Sequence, residues 1–162
     1  MSFIFYRHGG CFISLSMIIE DVIEFLKTIP PFQFLDEAGL KSLSGKISIE
    51  FYPKGTTILY QDGPASDYLR VIKKGGVKVF IKSDSEEVVI DYRSEGDAFG
   101  FLSLVSGDKS RANVLAIEDT IAYLISKESI IKLLDSNPAF TEFFLKSFLN
   151  KYIDKTYKEM HN

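Results

Sequence analysis

A chain of 162 residues, 46% of them hydrophobic and with a formal charge of −3, is long enough for one domain built on one core. Mild acidity without a long basic run argues against nucleic acid as a partner. The single Cys11 excludes an internal disulfide and a cysteine metal site, and the only histidines, His8 and His161, stand near the two ends.

The apolar run over residues 11–26 is broken by Glu20, Asp21 and Glu24, so no membrane-spanning helix and no membrane partner are expected. No small-residue cleavage site follows it, and a reducing cytoplasm is the expected compartment. Residues 1–16 read as a poorly ordered leader, and Met17 would suit a natural start because helical patterning begins there. An N-terminal helical segment is expected over 17–46. In it Ile18, Val22, Phe25, Leu26 and Ile29 recur at helical spacing, Ser16 is the expected N-cap, and Pro30-Pro31 stops the helix. Phe32 and Phe34 are expected in the core. Asp36 should cap a short helix with Leu40 and Leu43 on its inner face, ending near Gly45.

From Ile47 the period changes to two, and a β domain is expected over 47–126. Ile47, Ile49 and Phe51 alternate with Ser48 and Glu50 before the turn Tyr52-Pro53-Lys54-Gly55. Strands are expected over 56–60, 68–73, 77–82, 87–92, 114–117 and 121–125, with Lys74-Gly75-Gly76 reading as a tight hairpin. Many short strands with closely spaced turns predict a sandwich or jelly roll, not a parallel α/β sheet. Two helices are expected over 127–160. Ser126 caps the first, and Asn137 caps the second with Pro138 at its first position. The last helix carries Phe140, Phe143, Phe144, Phe148 and Tyr152 beside Leu145 and Leu149, a stripe wide enough to serve a partner chain as well as the core. The charged stretch after Tyr152 is too short for a helix-turn-helix.

The most informative stretch is 96–113. Gly96-Asp97 breaks a β-like run, and Gly100 opens a short apolar segment. Ser106-Gly107-Asp108-Lys109-Ser110 makes a polar loop, and Arg111-Ala112 leads back into a strand. Glycine at the start of a helical turn lets backbone N–H groups approach an anion, where the helix terminus is electropositive. A guanidinium from the far side of the loop would complete a phosphate clamp, and Arg111 is the arginine of that loop. Small polar neighbours, Ser103 and Asn113, are either further donors to the phosphate or ordinary turn and capping residues.

The motif Phe99-Gly100-Phe101-Leu102-Ser103-Leu104, followed by Arg111-Ala112, resembles the phosphate-binding cassette of cyclic-nucleotide-binding domains of the catabolite-activator and protein-kinase-A regulatory-subunit type. That cassette reads roughly Phe-Gly-Glu-x-x-Leu, then a loop and Arg-Ala or Arg-Ser. The resemblance extends over roughly 25–149 and looks closest to bacterial domains linked to CBS pairs and nucleotidyltransferases. It implies a mainly β fold with flanking helices (α+β). In detail that is a β jelly roll, or double-stranded β-helix, with N-terminal helices and a C-terminal helical lid. It also implies a ligand site at Gly100, Phe101, Leu102, Ser103, Arg111, Ala112 and Asn113. Phe101 stands where the family has the glutamate that holds the ribose 2′-hydroxyl, so the phosphate half of the site is present and the sugar half is missing.

The resemblance thus implies a non-enzymatic regulatory domain with no metal and no cofactor. It would sense a small phosphate-bearing ligand, with cyclic AMP or cyclic GMP as candidates weakened by Phe101, and signal through the C-terminal helix. A homodimer through that helix, and a CBS or nucleotidyltransferase partner, belong to the same expectation. The alternative is a degenerate member that binds no nucleotide and acts as a structural or protein-interaction module. Catalysis has little to stand on. The acid pairs Glu86-Glu87 and Glu118-Asp119 look like turn or strand-end residues, with no histidine or nucleophile motif near them.

Overall fold

The structure is a computed structural model that describes residues 6–8, 11–13 and 15–161, with side chains over 16–150, 153–154 and 158–161. The described residues divide into two compact units, a β sandwich over Leu43–Ile131 and a helical unit drawn from the chain up to Ser42 and from Lys132 onward. None of their helices is long and apolar enough to cross a membrane. The expected leader falls largely outside the described residues; within it, β1 (Tyr6–His8) pairs antiparallel with β2 (Cys11–Ile13).

In the helical unit, α1 (Leu15–Leu26) buries Val22, Phe25 and Leu26. It begins at Leu15, so Ser16 lies in its first turn and is not the N-cap. Phe32, in the single 3-10 turn Phe32–Phe34, is fully buried, whereas Phe34 is 45% exposed and corrects the expectation that both enter the core. A turn this short cannot send two side chains two residues apart to the same side. In α2 (Glu37–Ser44), Asp36 Oδ1 accepts from the Gly39 N–H at 2.7 Å, and Leu40 and Leu43 are buried.

Ser126 Oγ accepts from the Ser129 N–H (3.2 Å) at the start of α4 (Lys127–Ser136). Asn137 Oδ1 accepts from the Phe140 N–H (3.1 Å) at the start of α5 (Pro138–His161). Phe140 is fully buried, edge-on to Phe32 at 5.6 Å and tilted against Phe144 at 5.2 Å. It is therefore a core residue and unavailable to a partner; among the described side chains of α5 the exposed large apolar residues are Leu145, Leu149, Ile153 and Met160. The Tyr152 side chain lies outside the described ones.

The sandwich consists of two four-stranded antiparallel sheets. One has the order β3 (Ser48–Tyr52), β10 (Thr120–Ser126), β5 (Tyr68–Lys74), β8 (Ala98–Phe99). The other has the order β4 (Thr57–Leu59), β9 (Asn113–Ala116), β6 (Gly76–Ser83), β7 (Glu86–Ser94). Pairing is nested: β3 with β10, β4 with β9, β5 with β8, β6 with β7. The chain is one long antiparallel ribbon whose tip is the β6–β7 hairpin, wound so that successive segments fall in alternate sheets. That is a jelly roll. Its interior includes Ile72, Val77, Val79, Phe99 and Val114, with Tyr52, Ala116, Ala122 and Leu124 in a second cluster.

Two local readings change. Lys74-Gly75-Gly76 is not a hairpin, because the strands it joins lie in different sheets; it is a corner. A corner and a hairpin both need a glycine at positive φ, here Gly75 at +96°, so the local signal cannot separate them. In β3, the alternation located the strand but not its buried face. Ile49 and Phe51 are 51% and 55% exposed, and Tyr52, on the face of Glu50, is the buried one.

The corner at Gly75 abuts the corner that leads into β10. A Cβ on Gly75 would lie 2.4 Å from the Asp119 carbonyl oxygen and 2.7 Å from Thr120 Oγ1. Buried Thr120 accepts from the Gly76 N–H (3.2 Å) and faces the Gly76 carbonyl at 3.1 Å, which locks the two corners together. Gly55 also has positive φ (+92°), but nothing lies within 4 Å of its Cβ position. Gly55→Ala should therefore cost only the backbone strain, about 1–2 kcal/mol. Gly75→Ala adds the collision with backbone and should cost about 3 kcal/mol or more. Urea midpoints of the two variants check this, and equal midpoints would contradict the close approach.

Candidate anion-binding cassette

The strand before the cassette is anchored first. The Gly96 N–H donates to Ile72 O (2.8 Å) and the Ile72 N–H to Asp97 O (2.9 Å), while Asp97 Oδ2 accepts from the Ser94 N–H at 2.9 Å. The Arg93 guanidinium reaches the Ala98 carbonyl and Asp91 Oδ2. β8 then pairs Phe99 with Arg70, and Gly100 turns the chain at φ +90° as the N-cap of α3 (Phe101–Ser106). The Leu104 N–H is bonded back to Gly100 O at 3.1 Å, and α-helical geometry leaves the N–H groups of the preceding turn without intrahelical acceptors. Gly107, at φ +74°, ends the helix with its N–H on Ser103 O (2.9 Å).

Gly100 rests on a floor that the sequence did not announce. A Cβ there would stand 3.0 Å from Tyr68 O and 3.1 Å from Ser66 Oγ. Ser66 is buried, and its Oγ donates to Tyr68 O (2.7 Å) and accepts from Arg70 Nη1 (2.8 Å). Its N–H donates to Ser103 Oγ at 3.2 Å. Arg70 Nε donates to Tyr52 Oη (2.9 Å), and that hydroxyl donates to Glu50 Oε2 (2.7 Å). The usable clue was a charge inside the otherwise apolar run Leu69-Arg70-Val71-Ile72 of β5.

The expected site residues take different places. Phe101 begins α3 and is half-buried, while Leu102 is 51% exposed. Ser103 is tied to Ser66, and Ala112 packs on the interior cluster. Asn113 accepts the Gln61 N–H on Oδ1 (3.0 Å) and faces the Gln61 side chain, which also bonds Lys82. The polar loop is pinned by the Asp62 N–H on Ser110 O (2.7 Å) and the Ser110 N–H on Gly63 O (3.1 Å). Arg111 is exposed and bonded to no described residue. Gly100 and Ser103 thus share one network, Ala112 and Asn113 belong to another contact set, and Arg111 stands clear of both. No group of His, Cys, Asp and Glu among the described residues could hold a metal ion.

A family model described as "Cyclic nucleotide-binding domain" matches residues 49–137, more than half of the chain. The chain belongs to the cyclic-nucleotide-binding domain family. A cGMP-dependent protein kinase of Drosophila melanogaster, isozyme 1, is 32% identical over 120 residues. That match covers 72% of this chain and 16% of the kinase, so the chain spans about a sixth of that relative's length. Among solved structures, the regulatory domain of Toxoplasma gondii protein kinase A with cAMP has a TM-score of 0.70 at 18% identity, over 86% of this chain and 51% of that one. The catabolite activator protein of Thermus thermophilus has a TM-score of 0.67 at 22% identity, over 84% of this chain and 61% of that one. The structural likenesses carry the jelly roll. As a cyclic-nucleotide-binding domain the chain is a regulatory ligand-binding module in type; its link to CBS or nucleotidyltransferase domains finds no support in these comparisons.

Burial, and then the neighbouring Glu50, push the Tyr52 phenol up to about 12, with Arg70 opposing them. A folded value above the ordinary one near 10 favours the neutral phenol. Its stabilising effect is complete below pH 10 and is lost as pH rises from 10 toward 12. Phenolate absorbance of the wild type minus that of Tyr52→Phe should show one group, among eight tyrosines, titrating near 12. A difference centred on 10 would place Tyr52 in solvent.

Proposed function

We propose that this cyclic-nucleotide-binding domain is a non-enzymatic sensor that takes a small phosphate-bearing ligand at 96–113 and reports through α5. The observation that supports it most is Gly100, a helix N-cap in the left-handed region where an added Cβ would stand 3.0 Å from a carbonyl oxygen, with an uncommitted Arg111 on the same short segment. Backbone N–H groups and a guanidinium make a phosphate clamp. The ligand class is a cyclic nucleotide, the class named for the T. gondii relative, held weakly because Phe101 replaces the sugar's acceptor. Metal and nucleic acid have no part in this reading, and the domain acts in the cytoplasm on a partner domain or protein, CBS or nucleotidyltransferase types being the candidates.

The second reading is a degenerate module that binds no nucleotide. It is favoured by the commitment of Ser103 and Asn113 to bonds within the fold. Titrating cyclic AMP and cyclic GMP into the native chain, Phe101→Glu and Arg111→Ala at one salt concentration separates the two. Native binding should be weak, since a lost charge-assisted bond of about 1.5–3 kcal/mol costs roughly 10- to 100-fold in affinity. Phe101→Glu should recover it, and Arg111→Ala should cost about 1.5–3 kcal/mol. Tight native binding would refute the role given to Phe101; no binding by native or Phe101→Glu protein leaves the degenerate module.

The homodimer through α5 belongs to the same proposal, on a revised surface. Leu145, Leu149 and Ile153 are 57%, 51% and 60% exposed and recur every four residues along one side of the helix. Leu149→Glu with Ile153→Glu should turn a dimer into a monomer in sedimentation. Wild-type protein that sediments as a monomer at high micromolar concentration would end this idea.

A further inference from the structure

Arg70 is a cation on the inward side of a sandwich strand. It alternates onto the same face as Ile72, and its cross-strand neighbour Phe99 sits with Ile72 in the interior cluster. Arg70 is part-exposed, and a charge on this inward face is normally matched by a carboxylate. Here none lies within ion-pair distance among the described residues, and the two side-chain acceptors of the guanidinium, Tyr52 Oη at 2.9 Å and Ser66 Oγ at 2.8 Å, are neutral. Both acceptors are themselves buried, so the planar fork is fixed at two points. One of those points, Ser66, is also the floor under Gly100 and the partner of Ser103 on α3.

We propose that Arg70 is a positioning residue for the cassette, holding Ser66 so that the Gly100 turn and the first turn of α3 are set before any anion arrives. This rests on reading 96–113 as the ligand-binding segment. Geometry is the point of the arginine: a lysine keeps the charge but cannot span Tyr52 and Ser66 with one rigid fork. Its effect on binding is preorganisation, since a turn already ordered costs the ligand nothing to order.

The test measures hydrogen–deuterium exchange of the full chain without nucleotide, in the peptide covering 98–106 and in the β6–β7 hairpin. Ser66→Ala, Arg70→Lys and Arg70→Met should each speed exchange in 98–106 by about tenfold and leave the hairpin unchanged. Unchanged exchange in 98–106 overturns the proposal, and so does an equal rise in both segments, which is the mark of a merely structural residue. If Arg70→Met fails to fold, Ser66→Ala and Arg70→Lys still decide. A second arm titrates cyclic AMP into Phe101→Glu with and without Ser66→Ala. About tenfold weaker binding with Ser66→Ala is expected, and equal affinity overturns the proposal. Failure of Phe101→Glu alone to bind refutes the proposed function, while the exchange data still settle the positioning role.

Discussion

Everything the cassette can do depends on one backbone turn, Gly100 at φ +90° against Ser66 and Tyr68. A side chain there would pay the left-handed penalty and also meet a carbonyl oxygen at 3.0 Å. The turn is closely packed, so the direction in which α3 starts is set by the strand beneath it, through β8 paired to β5. The jelly roll supplies that strand. Its ribbon carries β5 and β8 side by side in one sheet while their continuations, β6 and β7, cross to the other. The anchors of the 95–97 turn on Ile72 complete the frame, and α3 leaves from a fixed point.

Polar groups near that point are arranged in series. Glu50, Tyr52, Arg70, Ser66 and Ser103 form a continuous line of hydrogen bonds from an edge strand to α3. A buried polar group that loses its partner costs about 1–3 kcal/mol, so the two buried members, Tyr52 and Ser66, constrain their neighbours. The raised pKa of Tyr52 has its cause in the same arrangement: burial and the acid at one end favour the neutral phenol, and the guanidinium at the other works against them. Because the line runs across β3, β5 and the loop before β5, it ties together segments far apart in sequence.

The architecture was legible because it is written in periodicity and punctuation. The period-two runs, the caps at Asp36, Ser126 and Asn137, and the glycines of the cassette each have a local physical cause. What escaped was non-local. Lys74-Gly75-Gly76 carries the same signal for a corner as for a hairpin, and only the sheet assignments of β5 and β6 separate them. Ile49 and Phe51 look inward by hydropathy, yet they lie on an edge strand whose buried residue is Tyr52. Ser66 could not be found by motif, because its role arises from the approach of Gly100 some thirty positions later. The arginine in an otherwise apolar run of β5 was the one visible mark of the network.

The candidate site therefore has a rigid half and an adaptive half, and they would contribute affinity in different ways. The Gly100 turn is held by contacts within the fold, so its backbone donors would act at little entropic cost. Arg111 is exposed and engaged by no described residue, so no bond to one of those residues must break before it turns to an anion. Ordering its side chain, however, costs up to about 2 kcal/mol of rotamer entropy. That cost is already contained in the net figure of about 1.5–3 kcal/mol for a hydrogen bond to a charged group. The guanidinium would add that net amount, and the rest falls to the prearranged backbone and to whatever a ligand gains beside Phe101. On the proposed reading of Phe101, a phenyl ring in place of an acceptor would remove most of that remainder for a ribose.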